Sequence, residues 1–97
     1  MTLIEIPCPI CGGATKTLPR YPRRVCGICA AKASDESGRA LEFFNTSLGG
    51  GFIAYYADSN QTEIYPGHIC FIDGISCYAD EARFGGIVIQ TLTDQPE

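Results

Sequence analysis

The chain has few of the residues that catalysis usually draws on. Among its 97 residues there is a single histidine, His68. Ser-His or Cys-His chemistry therefore has one available base, and no recognisable nucleophile motif surrounds it. No apolar run approaches the roughly 18 residues of a membrane-crossing helix, so no membrane partner is expected. The first residues, Met1 to Pro7, place no basic region ahead of an apolar stretch, which argues against a secretory signal. No internal repeat or low-complexity segment is visible. Cations are also in short supply, with 7 Lys and Arg against 11 Asp and Glu and an isoelectric point near 4.8.

Cysteine is plentiful by contrast. Six cysteines without a secretory signal point to a reducing cytoplasm and to metal thiolates rather than disulfides. Four of them form two doublets, Cys8-Pro9-Ile10-Cys11 and Cys26-Gly27-Ile28-Cys29, with fourteen residues between. In a C-x2-C doublet, two thiolates of one tight turn reach the same ion, and two doublets complete a tetrahedral zinc set. Gly12 suits the first turn, where positive φ is often required, and Pro9 restricts the turn in the unfolded chain. Four thiolates leave no coordination position for water, so one structural Zn²⁺ is expected and a catalytic one is not. The alternative is four buried or redox-active thiols.

This frame resembles the four-cysteine zinc fingers over about residues 6–34. By position, that resemblance makes Cys8, Cys11, Cys26 and Cys29 the ligands. Residues Ala30-Ala31-Lys32-Ala33 form helix readily. A helix at the second doublet is the pattern of the treble-clef type, whereas a strand there would mark a zinc ribbon. Thr15–Leu18 and Tyr21–Val25 read as a short hairpin across Pro19 and Pro22. In Tyr21-Pro22, Val25-Cys26 and the stretch Asp80 to Val88, the wider chain is similar to small zinc-containing bacterial domains of unassigned function, some associated with the handling of ADP-ribose. That likeness carries no catalytic residue over.

Ser34 to Gly38 is the one clear break in composition, ending a zinc module at 1–34 and opening a β module at 39–92. Apolar and aromatic runs separated by turn residues predict strands at 39–45, 52–57, 62–65, 68–72, 75–79 and 86–92. The last is either a central strand or an edge that dimerises. Nine of the ten aromatics lie in this half, which locates the main core there. The fold expected is small α+β, mainly β: a four-cysteine zinc finger followed by a packed antiparallel sheet or small barrel. Asp73-Gly74 predicts a two-residue type I′ hairpin, pairing Ile72 with Ile75 and Cys70 with Cys77. Alternation then puts His68, Cys70, Ile72, Ile75 and Cys77 on one face. Cys70 and Cys77 read as small core residues, with a second metal shared with His68, or a disulfide, as the competing readings.

Two segments are candidates for ligand binding. Asn45 to Gly51, with Ser47, Gly49 and Gly50, is a glycine-rich connector whose amides could approach a phosphate or carboxylate. It lacks the spacing of a nucleotide fingerprint. Asp80, Glu81 and Arg83 precede the last strand, and Arg83 could grip an anion with the two acids orienting it. The plainer readings are a flexible loop and a solvated turn.

Three functions follow. The first is a non-catalytic zinc-stabilised binding module for a protein or a small anionic, nucleotide-like ligand. The second is a nucleic-acid-binding zinc finger using Lys16, Arg20, Tyr21, Arg23 and Arg24. Residues 1–33 do carry five cations against one acid, but four thiolates on one Zn²⁺ leave that arm near +2, and residues 34–97 carry −8. The third is a small enzyme acting on a nucleotide or ADP-ribose-like substrate, with Asp80 or Glu81 as general base.

Overall fold

The computed structural model describes residues 3–46, 51–82 and 86–92. Seven strands run β1 Ile4–Pro7, β2 Ala14–Thr17, β3 Leu41–Phe44, β4 Ile53–Tyr56, β5 Ile69–Ile72, β6 Ile75–Glu81 and β7 Ile87–Thr91. One short helix, α1, spans Gly27–Ala30. The strands make three antiparallel sheets, β1-β2, β3-β4 and β5-β6-β7. No closed barrel forms among the described residues, and with only α1 and a 3₁₀ turn at Ala57–Ser59 as helix there, the protein is mainly β.

The β5-β6 hairpin has the expected register, with Ile72 opposite Ile75, Phe71 opposite Ser76 and Cys70 opposite Cys77. Its turn needs two residues with positive φ, and Asp73 and Gly74 stand at 51° and 80°. The inward face is closed: Cys70, Ile72, Cys77 and Ala79 are all fully buried. Burial pushes the Cys70 and Cys77 thiols up to about 12 and about 11, so both behave as small neutral apolar groups. Ile75, at the hairpin tip, is exposed. His68 precedes β5, and its ring stacks between Phe52 (4.3 Å) and Tyr78 (4.9 Å).

Most of the buried core lies in the second half, as expected, but its centre is made of small and aliphatic residues rather than aromatics. Among the described residues, no aromatic is in the buried core. Instead one cluster joins Cys8, Val25, Cys29 and Ala33 to Leu41, Cys70, Ile72, Cys77, Ala79 and Ile89, with Phe43, Phe52, Tyr56 and Tyr65 packed partly buried around it. The halves before and after residue 38 thus share a single core. Backbone bonds stitch the same seam. Val25 N–H donates to Ile89 O (2.9 Å), and Thr91 N–H donates to Arg23 O (3.3 Å). Ser34 and Phe71 exchange N–H···O bonds of 3.0 and 2.9 Å, and Leu41 N–H donates to Ala33 O (3.0 Å). The connection itself is an Asx turn in which Asp35 Oδ1 accepts from the N–H groups of Ser37 and Arg39, both at 2.9 Å. Those donors, Arg39 first, hold the Asp35 carboxyl below its ordinary range.

Local structure departs from the sequence expectation at four places, each with a physical reason. First, β2 pairs with the preceding β1, not with residues 21–25. Pro19 and Pro22 lack N–H donors, and residues 18–24 turn instead, with Tyr21 N–H and the Thr17 hydroxyl both bonded to Leu18 O. Second, the helix begins at the second doublet and ends by Ala31, so Ala30–Ala33 is its end rather than its body. Third, residues 62–65 make one bridge, Tyr55 to Ile64, and no strand. Asn60 and Gln61, at φ 55° and 65°, bend the chain before it, and Pro66 has no N–H to extend it. Fourth, β6 runs on to Glu81, so Asp80 and Glu81 are strand residues and not part of a turn.

One core group is left unsatisfied. Thr91 is 3% exposed, and its Oγ1 has no hydrogen-bond partner. Thr91→Val keeps the shape and removes the orphan, so it is expected to stabilise the metal-loaded protein by about 1 kcal/mol in urea unfolding. A lower midpoint would mean that the hydroxyl makes a bond.

Candidate metal centre and an adjoining cleft

The first doublet sits where β1 ends and turns back into β2. Gly12 adopts φ +81°, its N–H donates to Cys8 O (2.8 Å), and Cys8 N–H donates to Gly13 O (2.7 Å). This tight reversal folds amides back onto sulfur. Ile10 N–H and Cys26 N–H reach Cys8 Sγ at 3.4 and 3.3 Å, and Gly13 N–H reaches Cys11 Sγ at 3.4 Å. The second doublet is delivered by α1, which Cys26 precedes in extended conformation. Cys29 faces inward on that turn, and Ile28 between the ligands is 78% exposed.

The four sulfurs of Cys8, Cys11, Cys26 and Cys29 all lie within 4.8 Å of one another, with Cys11 and Cys26 at 3.8 Å. Sulfurs about 2.3 Å from a tetrahedral ion stand about 3.8 Å apart, so the set fits a thiolate-loving metal. Among the described residues this is the one His/Cys/Asp/Glu grouping close enough to share an ion. His68, Cys70 and Cys77 do not form a second.

Without a cation the four thiols cannot ionise together. Burial raises the Cys8 thiol, but the N–H groups of Cys11, Cys26 and Ile10 outweigh it and hold the group at about 6. Burial, followed by the neighbouring thiols of Cys11, Cys26 and Cys8, pushes Cys29 up to about 12. A doubly charged ion removes that conflict and displaces the remaining protons.

The other candidate residues fall into two groups. Ser47, Gly49, Gly50 and Arg83 lie outside the described residues. Asn45 commits its whole amide to the backbone. Its Nδ2 donates to Gly51 O (2.8 Å) and Gly86 O (2.9 Å), and its Oδ1 accepts from Gly86 N–H (2.6 Å). The glycine-rich connector and the start of β7 are therefore brought together at their bases, by a residue whose two amide N–H donors are both used there. Asp80 and Glu81 are successive residues of β6 and project to opposite faces. Asp80 Oδ1 accepts from Glu81 N–H (2.8 Å) and stands 3.7 Å from His68 Nδ1. That nitrogen is 2.7 Å from Ala79 O and carries the proton, since a carbonyl only accepts.

The cations of the first arm also divide. Arg23 Nε donates to Thr91 O (3.0 Å), and Lys32 Nζ lies 3.8 Å from Asp73. Lys16 and Arg24 instead line a cleft of about 490 Å³ beside the metal centre. Its floor is apolar, with Val25, Leu41, Phe43 and Ile89. Neither cation has an ion pair among the described residues. Sequence reasoning missed this cleft because its walls come from β2, the 24–31 segment, β3 and β7. The signal available was the basic arm itself, read there as a nucleic-acid surface.

Comparison with protein-family models, with curated proteins and with solved structures finds no match to this chain.

The site predicts a proton count. Zn²⁺ uptake just above neutral pH is expected to release fewer than four protons, because Cys8 has already lost its own, and affinity should fall with falling pH. Calorimetry in buffers of different ionisation enthalpy measures the count. Release of four would contradict a preformed thiolate at Cys8.

Proposed function

We propose that this protein is a non-catalytic binding module held by one structural Zn²⁺ on Cys8, Cys11, Cys26 and Cys29, with its ligand site in the adjoining cleft. Four thiolate donors leave zinc no position for a water, which supports a folding role over hydrolysis. A helical turn that starts within the second doublet and carries Cys29 supports the treble-clef type of finger over the ribbon. Thiolate ligands and buried free thiols suit a reducing compartment such as the cytoplasm.

The observation that carries the reading is the pairing of Lys16 and Arg24 with an apolar floor in one cleft. The volume lies within the usual range of ligand sites, about 300–1,000 Å³. The ligand presents an acidic group to the two cations and apolar surface to Val25, Leu41 and Phe43. A nucleotide-like molecule meets that description, as does an acidic protein segment. Nucleic acid fits less well, because Arg23 is engaged by β7 and Lys32 is paired with Asp73, leaving fewer cations for phosphate.

Adenosine monophosphate and naphthalene sulfonate, each anionic with an apolar body, test the site by amide-shift titration. Saturable shifts centred on Lys16, Arg24, Phe43 and Ile87 are expected, and their loss in the Lys16→Glu/Arg24→Glu protein. Shifts centred elsewhere, or equal shifts from a cationic naphthalene amine, would refute the assignment.

A further inference from the structure

Two sheet edges open onto the cleft. In an antiparallel strand, successive residues turn their N–H and C=O groups to alternate sides. Leu41 N–H donates to Ala33 O, away from β4, so the odd-numbered residues of β3 face outward, and Phe43 is the next of them. Val25 N–H donates to Ile89 O and Thr91 N–H to Arg23 O, so the odd-numbered residues of β7 face away from β6. Residues 23–25 cover that edge at 89–91 and leave Ile87 beyond them. Among the described residues, nothing bonds the outward N–H and C=O of Phe43 or of Ile87.

Both residues line the cleft. Leu41, Glu42 and Phe43 line it consecutively, although Glu42 projects to the opposite face from its neighbours. A cleft meeting three successive strand residues meets the edge of the strand. The wall is unpaired backbone, a ready template for another strand.

We infer that the cleft binds an extended, acidic segment of a partner protein, which adds a strand to the free edge of β3 or β7. This deepens the binding-module reading and rests on it. Backbone bonds to Phe43 or Ile87 supply the alignment, and alternate side chains, about 6.6 Å apart, drop onto the apolar floor. Lys16 and Arg24 select acidic residues in that segment and bias the encounter. A small anion would satisfy the two cations but leave the strand edges open, so the edges favour a peptide.

The test uses the zinc-loaded full chain and a capped hexapeptide of alternating glutamate and valine. Binding is expected to protect the Phe43 and Ile87 amides from hydrogen exchange and to weaken with added salt. Two N-methylated versions carry the methyl groups on alternate residues in opposite phase. One phase should lose at least about tenfold in affinity and the other should bind nearly as well, because only one set of N–H groups faces the edge. Equal affinity of both phases overturns strand addition, as does equal binding of a lysine-valine peptide. Binding of adenosine monophosphate or naphthalene sulfonate without the peptide overturns strand addition while the cleft reading stands. Failure of all three probes removes both. Self-association that protects the same two amides would make the occupant a second copy and overturn the peptide.

Discussion

Four thiol sulfurs gathered within 4.8 Å are stable as thiolates only if a cation neutralises them, and the rest of this small protein is arranged around that requirement. Two of the sulfurs belong to the main core. Cys8 and Cys29 are 2% and 1% exposed and sit in the same cluster as Ile72, Cys77 and Ile89. The four-cysteine cluster is therefore continuous with the core. Magnitude makes the dependence strong. Structural zinc contributes about 10–16 kcal/mol in small peptides, against about 5–15 kcal/mol for the whole stability of an ordinary domain. The core has Leu41, Ile72 and Ile89 as its large aliphatics, with alanines, Val25 and cysteines around them and aromatics only partly covered, which is modest apolar area for a domain.

That dependence also explains how the cations are used. The first arm carries most of the positive charge, yet the thiolates offset part of it, and the seam takes more. Arg23 is bound to Thr91 O where the arm meets β7, and Lys32 stands beside Asp73 of the hairpin turn. Of the three that remain, Lys16 and Arg24 line a cleft whose floor is core surface, and Arg20 does not. The cleft exists because β2, the 24–31 segment, β3 and β7 close against each other without fully covering the gap.

Local chemistry was legible in the sequence, and long-range pairing was not. Cys8, Cys11, Cys26 and Cys29 announce themselves by spacing, and Asp73-Gly74 fixes the hairpin register because few residue pairs accept its backbone angles. Asp35 likewise shapes the 35–39 turn by a contact only a few residues long. The pairing of β2 with β1 was hidden, since Thr15 and Lys16 alternate with either neighbour equally well and only the prolines at 19 and 22 decide. The aromatic-rich half does hold most of the core, but Phe43, Phe52, Tyr56 and Tyr65 pack around its buried residues instead of forming the centre. Asn45 looked like a ligand group, and it is a staple between two loop bases distant in sequence. The cleft needed four separate segments in register before it could be seen.

A metal on the four thiolates should hold the whole core and not residues 1–34 alone. Hydrogen exchange on the zinc-loaded chain, before and after chelation, tests it directly. Loss of zinc should collapse protection at the Cys70, Cys77 and Ala79 amides of β5 and β6 together with that at Val25. Protection that survives in β5, β6 and β7 while residues 4–34 exchange freely would show two independent units and contradict the account.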